Sequence, residues 1–306
     1  MSIKLTILGC HSANPGANEN HTSQYLEIKN HHFLVDCGEG TQNQLKKLKL
    51  SPAKINRIFI SHLHGDHFFG LIGLIASYSL LNREQELHVH GPRGIKEIIM
   101  VQLTLMNNSR TKYPLIFHEL DTKESVLIFE DEKVSVHTIP LDHSIYVNGF
   151  LFKEKLGKRK LNINVVNSYE EISICDYQNL KNGQDFISED GTVIKNSELT
   201  LDPPPPLSYA YCSDTSYKES IVPIIKEVSC LYHEATFLHE LKELATTTNH
   251  STALEAAKIA TLANAKQLIL GHYSNRYRDK EVFKEEAKQL FENVFIAKEG
   301  KFFEIG

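Results

Sequence analysis

A single short loop, residues 61–67 (Ser-His-Leu-His-Gly-Asp-His), carries three imidazoles and a carboxylate. The apolar residues before it predict a buried strand, and residues 68–81 predict a helix behind it. Imidazole nitrogens and carboxylate oxygens are ligands of zinc and similar divalent ions. The pattern therefore predicts a binuclear metal site, with a histidine-rich surface loop as the alternative. The candidate ligands in this loop are His62, His64, Asp66 and His67.

Three later segments repeat this design, in which a strand-like apolar run is followed by a histidine or an aspartate. The residues concerned are His143, Asp214 and His272. Taken singly, each is better explained as a cap or turn residue. Because strand ends in an α/β sheet deliver side chains to one rim, the three together with residues 61–67 predict one shared site.

These stretches resemble the metallo-β-lactamase superfamily and, more narrowly, the short form of tRNase Z, a tRNA 3′-processing endonuclease. The His-x-His-x-Asp-His motif marks only the superfamily. More specific to the nuclease are Asp-Cys-Gly-Glu-Gly-Thr-Gln at 36–42, His-Glu-Ala-Thr at 233–236 and His-Ser-Thr at 250–252. The resemblance extends from the first strand to the last helix and includes Gly-His-Tyr-Ser-Asn-Arg-Tyr at 271–277.

The resemblance implies two zinc ions per chain, with Asp214 between them. One ion would be held by His62, His64 and His143, and the other by Asp66, His67 and His272. Zinc lowers the pKa of water and stabilises the negative charge that develops during phosphodiester hydrolysis. Asp66 is expected either to bind metal only or also to accept a proton from the attacking water.

A proton donor for the departing 3′ oxygen is sought near the predicted helix that begins after Thr252. Thr252 and Glu255 form a capping-box pattern, and His250 stands just before it. Glu234 ends a strand at the same rim, and its carboxylate would favour a charged imidazole. We expect His250 to be the general acid and Glu234 to hold its other nitrogen; alternatively, both only brace the loop.

Three further residues are predicted to support the site. Asp36 is expected to orient a metal-binding histidine rather than bind the metal. Arg276 and Tyr277 closely follow His272 and are expected to contact phosphate and base, although a surface ion pair is the alternative for Arg276.

Composition limits the class of protein. A net charge of −5 over 306 residues argues against a surface that is basic throughout, but local patches decide whether RNA binds. Five cysteines without Cys-x-x-Cys spacing are typical of a reduced, cytosolic protein. The first residues lack the apolar core of a signal peptide, and the longest apolar run is too short for a bilayer. A cytoplasmic protein without a membrane segment is expected.

The order of predicted elements, which includes a helix near residues 219–228 and ends with a helix at residues 281–291 and a final pair of strands, favours an α/β fold. Two mixed sheets face to face with helices outside give a four-layer αβ/βα metallo-β-lactamase sandwich, one domain over residues 1–306. Residues 154–207 do not fit it, and the four prolines at 203–206 predict a stiff spacer of about 12 Å. The resemblance implies an inserted flexible arm that grips tRNA, although the family's Gly-Pro-rich signature is missing; a surface loop without RNA contact is the alternative.

The resemblance implies a zinc-dependent endoribonuclease, a ribonuclease Z, that removes the 3′ trailer of tRNA precursors. The cut would fall 3′ to the discriminator, leaving a 3′-hydroxyl on the tRNA and a 5′-phosphate on the trailer. A homodimer is expected, with the arm of one subunit acting on tRNA bound at the other. Basic residues expected to contact RNA are Lys155, Lys158, Arg159 and Lys160. The alternatives are another binuclear-zinc hydrolase, such as a phosphodiesterase or lactonase, and a non-catalytic RNA-binding scaffold.

Overall fold

The computed structural model of this chain describes residues 2–106 and 111–306. Its strands are β1 (Ile3–Gly9), β2 (Ser23–Ile28), β3 (His31–Cys37), β4 (Arg57–Phe59), β5 (Leu87–Pro92), β6 (Leu115–Leu120), β7 (Leu127–Glu130), β8 (Val134–Pro140), β9 (Asn148–Glu154), β10 (Lys160–Leu161), β11 (Phe186–Ile187), β12 (Val193–Ile194), β13 (Thr200–Leu201), β14 (Ser208–Cys212), β15 (Cys230–Glu234), β16 (Leu268–Gly271), β17 (Val294–Ile296) and β18 (Phe302–Ile305).

Its α-helices are α1 (Thr41–Lys47), α2 (Gly65–Leu80), α3 (Ile95–Leu105), α4 (Ile163–Val166), α5 (Tyr177–Lys181), α6 (Asn196–Leu199), α7 (Lys242–Thr247), α8 (Ala253–Leu262) and α9 (Glu281–Ala287). Short 3-10 turns occur at Pro52–Lys54, Glu219–Ile221 and His239–Leu241. Within the two described ranges, no helix has the length and apolar character needed to cross a membrane.

Two seven-stranded mixed sheets form the larger of two compact units, which consists of the chain up to Lys153 and Leu207–Gly306. The first sheet has the order β18-β1-β2-β3-β4-β5-β6, and the second has the order β17-β16-β15-β14-β9-β8-β7. Apolar side chains of α1, α2 and α3 cover the outer face of the first sheet, while α8 and α9 pack on the second. The predicted four-layer αβ/βα sandwich is confirmed.

Aromatic side chains join the two sheets. Phe33 and Phe59 of the first sheet are fully buried against Phe150 and Phe152 of the second. Ring centroids are 5.5 Å apart for Phe33 and Phe152, and 5.4 Å apart for Phe59 and Phe150. Such close-packed interiors resist relative displacement. The two sheets therefore hold residues at their edges at a fixed separation.

Parallel strands determine which loops meet at one edge. Strands β3, β4 and β5 run parallel in the first sheet, and β14, β15, β16 and β17 run parallel in the second. The carboxyl ends of parallel neighbours lie at the same edge of a sheet. The loops after β4, β14 and β16 carry His62, Asp214 and His272, so the strand pattern positions these side chains.

Glu154–Pro206 forms the second compact unit. Two short strand pairs, β10 with β13 and β11 with β12, accompany helices α4, α5 and α6. A small apolar core inside this unit consists of Val166, Ile172, Leu180 and Leu199. Residues 203–206, the four prolines, lie outside any helix or strand.

Some predicted elements differ from the structure near the carboxyl half. The helix expected near residues 219–228 is wrong, because only the 3-10 turn Glu219–Ile221 forms there. Pro223 lies two residues after the end of this turn, and proline lacks the N–H that a continuing helix needs. The last helix ends at Ala287 instead of residue 291. The final two strands join different sheets, since β17 pairs with β16 and β18 pairs with β1.

Two glycines on α2 test how closely this helix must approach the turn after β3. A Cβ atom at Gly70 would lie 2.2 Å from the Gly38 carbonyl oxygen, whereas one at Gly73 would find its nearest atom at 3.6 Å. We expect Gly70→Ala to lower the free energy of unfolding by about 1–3 kcal/mol through overpacking. Gly73→Ala should raise it by about 0.5–1 kcal/mol, because alanine is the better helix former. Urea unfolding of both variants measures this difference, and equal effects would contradict it.

Candidate metal centre

The first group of predicted ligands meets between the loops after β4, β8 and β14. His64 Nδ1 lies 3.1 Å from His62 Nε2 and 3.2 Å from His143 Nε2. Asp214 Oδ2 completes the group at 3.5 Å from His62 Nε2 and 3.7 Å from His143 Nε2. Three imidazole nitrogens and one carboxylate oxygen thus converge on one small space.

A second group uses the other oxygen of Asp214. Asp214 Oδ1 lies 3.2 Å from His67 Nε2 and 3.0 Å from His272 Nε2. Asp66 Oδ2 lies 3.4 Å from His67 Nε2 and 3.5 Å from His272 Nε2. Asp214 therefore presents one carboxylate oxygen to each group, as a bridging ligand would.

Two buried nitrogens test whether these residues fit metal ions. Within the described part of the chain, His67 Nε2 and His272 Nε2 have carboxylate oxygens at 3.0–3.5 Å but no hydrogen bond of acceptable geometry. A buried polar atom without a partner is costly unless something else satisfies it. Nitrogen and oxygen donors in groups of four suit zinc or a similar divalent ion. The residues present therefore fit two such ions.

Asp36 fixes the orientation of His67. Its Oδ2 lies 2.7 Å from His67 Nδ1, the ring nitrogen that faces away from the second group. The same carboxylate accepts hydrogen bonds from the Ser61 amide at 2.7 Å and the Tyr211 hydroxyl at 2.6 Å. A histidine ligand normally donates its free N–H to such an acceptor, which sets its tautomer.

Other candidate ligands are oriented by loop residues in the carboxyl-terminal half of the chain. Thr236 Oγ1 lies 3.0 Å from His272 Nδ1, and the Asn249 carbonyl oxygen lies 2.9 Å from His143 Nδ1. Each contact leaves Nε2 of the same ring directed at the ligand groups. The imidazoles are thereby held in place by the fold itself.

Three site residues have left-handed backbone conformations that are unusual outside glycine. The φ angles are 55° at Asp36, 59° at Asp214 and 60° at His272. Such conformations cost about 1–3 kcal/mol each and concentrate at functional sites. Here they turn the chain sharply at or just after a strand, which directs the three side chains toward the same point.

Buried carboxylates dominate the electrostatics of the centre. Burial disfavours protonated His67, but the surrounding carboxylates, led by Asp214, outweigh burial and raise the pKa of His67. Burial likewise opposes the ionised form of Asp214, and the surrounding imidazoles, led by His272, lower its pKa. The second group therefore stabilises positive charge, which a divalent ion would supply.

His250 and Glu234 form a contact beside the two groups. His250 Nδ1 lies 2.8 Å from Glu234 Oε1, and the ring centroid of His250 is 5.1 Å from that of His143. The fully buried Glu234 also accepts hydrogen bonds from the Thr215 amide at 2.8 Å and the Thr236 hydroxyl at 2.7 Å. Burial opposes protonation of His250, but Glu234 outweighs it and raises the pKa of His250 to about 9.

An open cavity of about 830 Å³ leads to the centre. Its lining includes His64, Asp66, His143, Asp214, His250 and His272. The exposed Arg276 also lines it, as the sequence predicts for a substrate contact. Tyr277 is not part of this lining, because its hydroxyl accepts a hydrogen bond from the Leu238 amide and its ring packs 4.9 Å from Phe283.

The basic residues predicted to contact RNA belong to the Glu154–Pro206 unit. Lys158 and Lys160 are exposed, and Lys155 is half-buried. The half-buried Arg159 donates to the Thr200 hydroxyl at 2.6 Å and pairs with Asp202. Lys158 and Lys160 therefore carry the most accessible charges of the four.

Sequence reasoning gave no role to four groups that hold the site together. They are Ser61, Tyr211, Thr236 and the carbonyl of Asn249. Ser61 and Thr236 stand inside stretches 61–67 and 233–236, so their position within motifs was an available signal. Tyr211 and Asn249 act across the fold, and no local pattern marks them.

The chain is similar in sequence and fold to proteins of one family. It is 43% identical over 297 residues to a ribonuclease Z of Bacteroides fragilis, covering 97% of each chain, and 44% identical over 298 residues to one of Porphyromonas gingivalis, again covering 97% of each. The crystal structure of human tRNase Z, short form, matches with a TM-score of 0.72 at 27% identity, covering 99% of each chain. A family model described as anti-Pycsar protein Apyc1 matches residues 3–154. The chain belongs to the ribonuclease Z family and has the metallo-β-lactamase fold.

Proposed function

We propose that this chain removes the 3′ trailer of tRNA precursors by cutting 3′ to the discriminator nucleotide. The products are a 3′-hydroxyl on the tRNA and a 5′-phosphate on the trailer. The observation that carries the proposal is the His250–Glu234 contact beside the two ligand groups, because it supports a proton donor close to the proposed phosphate-binding metals. Incubation with an end-labelled tRNA precursor tests it, and a cut at any other position would overturn it.

Two zinc ions are the proposed cofactors. His62, His64 and His143 would hold one, His67, Asp66 and His272 the other, and Asp214 would contact both. When bound, zinc supplies Lewis-acid stabilisation of phosphoryl charge and lowers the pKa of water. The support for two ions is that Asp214 offers a separate oxygen to each group.

The proposed proton transfers use side chains of the chain itself. Glu234 holds Nδ1 of His250, so the imidazolium can donate its remaining ring proton to the departing 3′ oxygen. Burial opposes the ionised form of Glu234, but His250 outweighs burial and lowers the pKa of Glu234. Hydrogen bonds from the Thr236 hydroxyl and the Thr215 amide hold the carboxylate in place. Asp66, besides its place in the second group, is assigned the proton of the attacking water.

The cavity favours a phosphodiester over a lactone. A lactonase needs an apolar pocket for its acyl chain, whereas the only apolar side chains in this cavity's described lining are Ala13, Phe69 and Phe237. Arg276 adds a guanidinium that suits phosphate. A non-catalytic scaffold is disfavoured because all seven predicted ligands converge.

The proposal includes a homodimer in the cytoplasm. Large exposed apolar side chains on or next to α2 and α3 offer a surface for a second copy: Leu80, Leu81, Val101, Leu105 and Met106. All five cysteines are free, which suits a reducing compartment. Lys155, Lys158, Arg159, Lys160 and Arg276 are the proposed RNA contacts, and Tyr277 is a weaker candidate because it does not line the cavity.

Metal content is the first expected outcome. Freshly purified, unchelated protein should contain about two zinc ions per chain, since the ligands form two groups that share Asp214. Asp214→Ala and His64→Ala should lose metal and activity while keeping the fold by circular dichroism. His32→Ala, a histidine outside both groups, is the matched control and should keep both ions. One ion or fewer in the wild type, by elemental analysis, would count against the binuclear assignment.

His250→Ala tests the proton donor. Loss of a general acid should slow cleavage of a tRNA precursor by about 10²–10⁴-fold with metal content unchanged. The same variant should cleave a substrate whose leaving group departs without protonation at a rate much closer to that of the wild type. An equal loss of cleavage rate on both substrates would contradict proton donation and would show that His250 only positions other groups.

The basic residues of the Glu154–Pro206 unit are tested by salt dependence. Replacing Lys155, Lys158, Arg159 and Lys160 with glutamine should raise KM for a tRNA precursor. The slope of log KM against log salt should fall by roughly one for each phosphate contact that is lost. Lys46→Gln with Lys47→Gln removes exposed charge from α1 and is the control. An unaltered KM and an unaltered salt dependence in the fourfold variant would show that this unit does not contact the RNA. The nuclease assignment would not be affected.

A further inference from the structure

One aromatic side chain in the cavity has no role in the proposed chemistry. Phe69 is 60% exposed, although it belongs to α2 and lies only two residues after His67. Its ring lines the cavity together with His64 and Asp66. A large apolar side chain left in water in a cavity whose lining residues are mostly polar types indicates a surface that is covered when the substrate binds.

The ring is held against the backbone of the metal-binding loop. A Cβ atom at Gly65 would lie 2.3 Å from Phe69 Cε2, so the ring rests where only glycine leaves room. The neighbouring ring of Phe68 lies 5.1 Å away at 63°. These contacts fix one side of the Phe69 ring and leave the remainder open to the cavity.

The position of Phe69 separates it from the other exposed apolar residues of this helix. Leu80 is 81% exposed and lies on the same helical face, but about 16 Å farther along the axis and outside the cavity lining. Leu80 lies next to another exposed leucine, Leu81, as in a surface that contacts protein. Phe69 instead lies beside the candidate metal ligands. Amide and guanidinium groups of Asn14, Asn275 and Arg276 share its cavity.

We propose that Phe69 is the stacking platform for an unpaired nucleobase next to the scissile phosphate. The inference rests on the proposed function and assigns a base-binding subsite within it. Aromatic stacking tolerates every base, because each has a π-face. Since Phe69 belongs to the same rigid helix as Asp66 and His67 and lies two residues after His67, a base stacked on it would be fixed relative to the proposed ligand atoms.

The test is a double-mutant cycle in which one change is Phe69→Ala in the protein and the other is an abasic nucleotide in the RNA. A tRNA precursor is made with one base removed, either at the discriminator or at the first or second trailer position. For wild-type enzyme, the abasic change at the stacked position should raise KM about tenfold. In Phe69→Ala the intact substrate should show the same rise, and the abasic change at that position should add nothing.

Two substitutions at position 69 distinguish stacking from simple apolar contact. Phe69→Trp should keep the wild-type KM, whereas Phe69→Leu, apolar but without a ring, should behave as Phe69→Ala. Phe302→Ala makes the same substitution at a 50% exposed phenylalanine outside the cavity lining, so it is the matched control and should keep the full abasic effect. Thermal unfolding of each variant should match the wild type, because at least half of the Phe69 and Phe302 side chains is exposed.

Three results would overturn the inference. Independent effects of Phe69→Ala and of abasic changes at every position would show that no base stacks there. A shift in sedimentation mass in Phe69→Ala, without such coupling, would assign the ring to a contact between copies. Absence of precursor cleavage by the wild type would remove the proposed function itself, which is distinct from the first two results.

Discussion

The rest of the site depends on the contacts that the Asp214 carboxylate makes with imidazoles on two sides. One of its oxygens faces His62 and His143, and the other faces His67 and His272. These partners come from both sheets, so neither sheet alone can complete either group. A fully buried carboxylate is tolerated only when positive charge or hydrogen bonds compensate for it. The sandwich must therefore close before the centre exists, so binding of the proposed ions would be coupled to folding.

That constraint explains features far from the ligands. Phe33, Phe59, Phe150 and Phe152 hold the two sheets at the separation that the shared carboxylate requires. The backbone of α2 approaches the turn after β3 so closely that Gly70 has no room for a methyl group. Left-handed φ angles at site residues are a local cost that this packing sustains.

The candidate ligands could be predicted from the sequence because each follows a local strand pattern. The residues that orient them could not, because they contact the ligands only in the folded structure. A strand followed by a ligand is visible within ten residues, as at His143 and His272. By contrast, Tyr211 reaches Asp36 across 175 positions of sequence, and Asn249 contributes only a carbonyl. The predicted helix near residues 219–228 failed for a local reason, because Pro223 outweighed an apolar pattern. The exposure of Phe69 could not be predicted from the sequence, because an apolar residue near the start of an amphipathic helix is normally expected to be buried.

The same carboxylate–imidazole contact has two uses in this structure. Asp36 lies 2.7 Å from Nδ1 of His67, and Glu234 lies 2.8 Å from Nδ1 of His250. The difference lies in what the rest of each ring meets. The His67 side chain is fully enclosed and directs Nε2 at the second group, whereas that of His250 is 15% exposed and lines the cavity. An enclosed imidazole can be satisfied by a metal ion, while one open to the cavity can pass its proton to a substrate. Access to the cavity, more than the paired carboxylate, therefore distinguishes the proposed metal ligand from the proposed acid.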